Sequence, residues 1–151
     1  MNVEIISKRY SDLIKFSLKK REEYVNAKPF PHICLDDFFN PEFLDAILSN
    51  YPDLSKNKRA GNMKTKNDNK LNLDHPNEIP EKINDFINFL NSFRFLEFLQ
   101  SLTGIELSLI PDPYFWGGGL HEIKRGGFLK IHADFNVHPR LKLNRRINLL
   151  I

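Results

Sequence analysis

His132 and Asp134 stand two residues apart in the stretch Phe128-Leu129-Lys130-Ile131-His132-Ala133-Asp134-Phe135. On extended backbone, residues i and i+2 project to one face, so an imidazole and a carboxylate at this spacing can meet one metal ion. The neighbours alternate in the same sense. Leu129, Ile131, Ala133 and Phe135 form an apolar face, and Phe128, Lys130, His132 and Asp134 form the other. Nitrogen and oxygen donors with open positions suit Fe(II), which a further histidine would complete as a facial triad. An amphipathic strand whose polar face meets water has the same pattern, and the spacing alone leaves both explanations open.

Other side chains could join this pair. His138 lies four residues beyond Asp134, beside Pro139, and could fold back. With His132 and Asp134 it would make a donor set for a zinc-dependent hydrolase. His121 is expected on a neighbouring strand in a surface or hydrogen-bonded role, and His32 and His75 as structural residues. Arg145 and Arg146 open the apolar run Arg145–Ile151. Alternation puts Arg146, Asn148 and Leu150 on one face and Ile147, Leu149 and Ile151 on the other. A guanidinium there suits a substrate carboxylate, which makes Arg145 and Arg146 candidate substrate-binding residues. A strand-end ion pair at the surface is the alternative. Tyr114, Phe115 and Trp116 could form a substrate lip or anchor a loop. Gly117-Gly118-Gly119 is no phosphate loop, because no Gly-Lys-Ser/Thr follows it.

The elements that must position these groups follow from pattern. Residues 7–26 predict a helix, stopped by Pro29 and Pro31. His32 to Leu35 predicts a short strand. Asn40 as N-cap and Pro41 at the first turn start a second helix, with Phe43, Leu44, Ile47 and Leu48 as its buried stripe. Residues 55–76, polar and rich in Asn and Lys, predict a flexible loop. A third helix starts near Pro80 with Ile83, Phe86, Ile87 and Leu90 on one face. A fourth runs from the N-cap Ser92 to Gly104 and is apolar over much of its circumference. Strands are then expected over 105–110, 120–124, 128–135 and 145–151, with Pro111-Asp112-Pro113 as a turn or linker. Helices first and strands after imply one α+β domain. Residues 1–104 would be mainly helical support, and 105–151 would begin a β core.

The stretch from Gly117 to Asn136, followed by Arg145-Arg146-Ile147-Asn148-Leu149-Leu150-Ile151, resembles the 2-oxoglutarate/Fe(II)-dependent dioxygenases, in particular their prolyl-4-hydroxylase-like branch. In that branch a glycine-containing turn leads into the His-x-Asp strand, and a loop then leads to an Arg-bearing apolar strand. Lys28-Pro29-Phe30-Pro31-His32-Ile33-Cys34-Leu35-Asp36-Asp37-Phe38-Phe39 is similar to the entry strand of such enzymes. The likeness runs from about Pro29 to Ile151. It implies a double-stranded β-helix, jelly-roll or cupin-like, with Fe(II) held by His132, Asp134 and a distal His. It also implies 2-oxoglutarate as co-substrate, ascorbate as a possible accessory reductant, and hydroxylation of a C–H bond in a small-molecule or peptide substrate. Two departures stand out. Leu129 occupies the position three before the proximal His, where the family often has Tyr. The distal His and the distal Arg or Lys that clamps 2-oxoglutarate have no counterpart before Ile151. The third ligand is therefore expected to be absent from the chain, which would be the incomplete, inactive N-terminal part of such an enzyme. An unpaired strand edge could then drive self-association, and a non-catalytic α+β module that binds a partner through that edge is the further alternative.

Composition sets outer bounds. At 151 residues, 41% hydrophobic and 27% charged, with 13 Phe, the chain has the makings of a real core rather than disorder. The net charge of +3 is mild, and its run between Lys56 and Lys70 lacks the interleaved aromatics of a nucleic-acid face. Neither a nucleic acid nor a membrane is expected as a partner. One cysteine, Cys34, excludes an intrachain disulfide, and the first 23 residues have no uninterrupted apolar segment. The expected compartment is the cytoplasm.

Overall fold

The computed structural model describes residues 4–65 and 68–151. Among them are four α-helices and a four-stranded antiparallel sheet, an α+β composition. The contacts group the chain into two compact units, Met1–Pro52 with Pro80–Pro113, and Asp53–Ile79 with Tyr114–Ile151.

The first unit is helical. α1 spans Leu13–Asn26 and is capped by Asp12, whose carboxylate accepts the Lys15 N–H at 2.9 Å. The residues before it, Lys8–Tyr10, form a separate 3-10 turn. α2 spans Pro41–Ser49, with Asn40 as N-cap and Pro41 in the first turn, as the sequence predicts. Of its expected stripe, Phe43 is buried, whereas Leu48 is exposed. α3 (Glu81–Leu90) buries Ile83 and Phe86. α4 (Phe93–Thr103) begins at the Ser92 cap, ends on Gly104 in the left-handed region, and buries Phe95, Phe98, Leu99 and Leu102.

Phe38 is the centre of this unit. Its ring stacks on Phe98 at 5.3 Å and meets Tyr10, Phe39 and Phe95 at 5.0, 5.0 and 6.3 Å. Burying a ring of this size stabilises by about 1.5–3 kcal/mol, so a handful of them can hold the helices together. The Arg21 Nε donates to the Ser101 carbonyl at 2.7 Å and ties α1 to α4.

Two strand expectations fail in this unit. His32 to Leu35 lies in no strand, and only Phe39 bridges, to Ile6. Residues 105–110 are likewise irregular. Side chains take the place of a neighbouring strand there: the Leu109 N–H reaches Gln100 Oε1 at 3.3 Å, and just beyond, the Asp112 N–H reaches Asn91 Oδ1 at 2.9 Å.

The second unit holds the sheet, and here the expected loop over 55–76 is overturned. It contains β1 (Gly61–Lys64) and β2 (Asp68–Leu73), paired in antiparallel register with Gly61 opposite Asn72 and Lys64 opposite Asn69. β2 is the central strand. Its other edge carries β3 (Leu120–Glu122), with Leu73 opposite Leu120, and β4 (Phe128–Leu129), with Asn69 opposite Phe128. Leu73 is fully buried, and Leu54, Ile79, Phe115 and Leu120 are the other buried apolar residues of the unit. Gly119 is required at the start of β3. It has φ +102°, and a β-carbon there would lie 2.5 Å from the Leu73 carbonyl oxygen.

The last strands are shorter than expected. Residues 128–135 supply only the two residues of β4, and residues 145–151 form no strand. In place of the latter, residues 136–145 fold back as a narrow loop. The Arg145 N–H donates to the Asn136 carbonyl at 2.8 Å, the His138 N–H donates to the Leu143 carbonyl at 2.8 Å, and Val137 bridges Asn144.

Candidate metal centre

His132 and Asp134 lie just beyond β4, on irregular backbone. Their side chains nevertheless meet, with His132 Nε2 3.5 Å from Asp134 Oδ1. Two donors each about 2.1 Å from one ion stand about 3.0 Å apart at a right angle and about 3.4 Å apart at the tetrahedral angle. The observed separation is close to that range.

The partners of the pair set its chemistry. His132 Nδ1 lies 2.7 Å from the Lys130 carbonyl oxygen. A carbonyl can only accept, so Nδ1 carries a proton and, in the neutral ring, the lone pair sits on Nε2 and faces the carboxylate. Asp134 Oδ2 is held from the other side by Arg145 Nη2 at 3.3 Å and Asn148 Nδ2 at 3.4 Å. Oδ1 is thus the oxygen turned toward the imidazole. Both side chains are part-exposed, 38% for His132 and 41% for Asp134.

Arg145 is itself held. It donates to Asn148 Oδ1 at 2.9 Å, and its guanidinium lies over the Phe135 ring at 4.8 Å. The fold-back over 136–145 brings these groups beside Asp134. Gly117, at φ +76°, lets the chain pass against the Phe135 ring. Arg145 and Asn148, rather than Arg146 and Asn148, therefore work together, because strict alternation does not hold where the segment is not a strand. Arg146 is exposed. Gly117 and Phe135 are contributors that residue spacing did not single out.

The remaining histidines have other settings. His138 is buried, and its Nδ1 accepts the backbone N–H groups of Arg140 and Leu141 at 3.2 and 3.0 Å. Its ring lies 6.0 Å from Tyr114 and 6.1 Å from Trp116, while Arg140 covers the Tyr114 ring at 4.8 Å. This packing makes His138 a turn-holding residue and the two aromatics loop anchors. His121 stands opposite Asn72 on the sheet. Burial pushes its imidazole below the ordinary pKa, Lys70 adds to this, and Asp74 and Asp134 oppose it. His32 Nδ1 lies 2.9 Å from the Phe30 carbonyl, and His75 Nε2 lies 3.4 Å from Arg59 Nη1.

Among the described residues, no three His, Cys, Asp or Glu side chains group closely enough to hold a metal ion, and no helix is long and apolar enough to cross a membrane. The pair offers one nitrogen and one oxygen donor, types that suit Fe(II). No protein-family model matches the chain, and neither a curated protein nor a solved structure is significantly similar to it.

Proposed function

We propose that this chain carries the first two iron ligands of a 2-oxoglutarate- and Fe(II)-dependent dioxygenase of the prolyl-4-hydroxylase-like type, on the first part of a double-stranded β-helix. The observation that carries the proposal is the His132 Nε2–Asp134 Oδ1 approach at 3.5 Å, with the other atom of each group already engaged. A metal-ligating histidine needs its second nitrogen fixed by a carbonyl or carboxylate, and a ligating carboxylate needs an outer partner. Lys130 supplies the first, and Arg145 with Asn148 supplies the second.

When bound, Fe(II) with 2-oxoglutarate would supply O₂-dependent hydroxylation of an unactivated C–H bond. The chain's own contribution is orientation. The Lys130 carbonyl keeps the Nε2 lone pair outward, and Arg145 with Asn148 holds Asp134 Oδ2 and leaves Oδ1 toward the imidazole. The substrate belongs to the small-molecule or peptide class. A zinc hydrolase built on His132, Asp134 and His138 is the weaker proposal, because both backbone donors on His138 Nδ1 would have to be given up.

The test is metal titration of the purified chain with Co(II), a spectroscopic stand-in for Fe(II). Weak one-to-one binding is expected, abolished by His132→Ala and by Asp134→Asn. Succinate formation from 2-oxoglutarate by the 151-residue chain is not expected, because two protein ligands leave the ion largely solvated. Co(II) binding that persists unchanged in both variants would sink the proposal.

A further inference from the structure

A second place in the molecule has the features of a ligand site. The first unit contains an open groove of about 510 Å³, lined by Arg9, Tyr10, Phe16, Lys19, Lys20, Cys34, Leu35 and Asp36. That size is in the range of small-molecule sites. The 3-10 turn and α1 form one wall, and the irregular segment after Pro31 forms the other.

Charge defines what fits. The lining has three cations against the single carboxylate of Asp36. Lys20 is paired with Glu23 one turn on, but Arg9 and Lys19 have no acidic partner among the described residues. The Arg9 guanidinium lies over the Tyr10 ring at 5.6 Å, which steadies it. The Tyr10 hydroxyl already donates to the Asp36 carbonyl at 2.7 Å, so the wall offers cations rather than neutral donors. Tyr10 and Phe16 meet edge to face at 4.8 Å and give the groove an aromatic side.

We infer that this groove is a phosphate-binding site, for a phosphomonoester carried on a small organic group or on a lipid headgroup. A phosphomonoester has about −1.5 to −2 charges near neutral pH, and Arg9 and Lys19 are the two lining cations left to meet it. The Arg fork meets two of its oxygens, and Lys19 acts as a point charge on a third. The aromatic side takes the apolar remainder. The site is in the helical unit and owes nothing to the His132–Asp134 pair.

Cys34 makes it testable, because it is the only thiol in the chain, is exposed and lines the groove. Its alkylation rate by the neutral reagent iodoacetamide reads occupancy directly. A ligand at ten times its Kd leaves about a tenth of the sites open, so alkylation should slow up to about tenfold. The probes are inorganic phosphate, phenyl phosphate, and phosphatidylcholine vesicles with or without phosphatidic acid, each against chloride at matched ionic strength. Protection by phenyl phosphate, stronger than by inorganic phosphate, supports a soluble phosphomonoester. Protection only by vesicles bearing phosphatidic acid supports the headgroup source. Lys19→Gln should lose protection, whereas Lys15→Gln, on the same helix but outside the lining, should keep it. Both substitutions are at exposed positions. No protection by any phosphate, equal protection by chloride, or equal loss in the two variants overturns the inference.

Discussion

Gly117→Ala tests how the second unit aims Asp134. Gly117 has φ +76°, where a β-carbon costs about 1 kcal/mol or more in an L-residue. That β-carbon would lie 2.5 Å from Phe135 Cε1, 3.2 Å from Cζ and 3.6 Å from Arg145 Nη1. Carbon atoms in contact prefer about 3.5–4.0 Å, so the ring must withdraw by about 1 Å. Overpacking of this kind costs about 1–3 kcal/mol, at the lower end here because Phe135 is only half-buried. The expected total is about 2–3 kcal/mol. As the ring moves, it takes with it the Arg145 guanidinium stacked 4.8 Å above it, and with that the hold on Asp134. Urea melts of the wild type, Gly117→Ala, Phe135→Leu and the double variant separate the contributions. Leucine removes the clashing ring atoms but leaves the backbone strain, so the double variant should recover about 1–2 kcal/mol relative to the sum of the singles. Co(II) affinity should fall in Gly117→Ala alone and return partly in the double variant. Additivity within about 0.5 kcal/mol would refute the steric argument.

Gly119→Ala should be worse than Gly117→Ala, about 3 kcal/mol or more, because its β-carbon meets the Leu73 carbonyl and Asp74 Cα, backbone that cannot turn aside. Faster amide exchange along β2 and β3 is the direct readout. Arg145→Ala should cost less than about 1 kcal/mol in stability, since its pair with Asp134 is partly exposed, yet it should weaken Co(II) binding measurably. His121 titrates below its ordinary value of 6.5 in the folded chain, so the unfolded chain binds the proton more readily. Stability present above pH 6.5 is therefore lost as the pH falls below it, and His121→Gln should flatten that limb of a melting-temperature profile. Asp53, held down to about 2 by its hydrogen bonds to Ser55 and Lys56, works in the acid range, where Asp53→Asn should flatten the loss between about pH 4 and 2.

What could be read in advance divides along physical lines. α2 and α4 were legible because caps and apolar stripes are local: Asn40-Pro41 and Ser92…Gly104 act within a turn of the residues they organise. The pairing of β1 and β2 was hidden because most of their residues are Asn, Lys and Asp, poor strand formers by propensity, and β1 is exposed along its length. The one signal was Leu71 and Leu73 at a spacing of two, and Leu73 is in fact fully buried. A polar strand can be central when its partners rather than its own composition hold it, and β2 has partners on both edges.

The site divides in the same way. The spacing of His132 and Asp134 brings their side chains together even without a strand, because an i, i+2 relation needs only locally extended backbone. Arg145, Asn148 and Phe135 reach the pair through the fold-back over 136–145, whose geometry depends on buried His138 accepting two backbone donors and on Lys142 at φ +58°. Neither feature has a strong local signature, so pattern marked Arg145 as a substrate-binding candidate and did not show that it and Asn148 hold Asp134. The consequence is that substitutions in the turn should act on the site at a distance. His138→Leu would strip the Arg140 and Leu141 N–H groups of their acceptor in a part-buried turn. The two donors are only part-buried, so water offsets some of the loss, and a cost of about 1 kcal/mol is expected, enough to loosen the turn that places Arg145. Co(II) binding should then weaken with His132 and Asp134 untouched. If His138 were instead a metal ligand, His138→Leu would abolish binding as completely as His132→Ala. His138→Asn, which keeps an acceptor for the turn, should retain most of the affinity on the structural account and none on the ligand account.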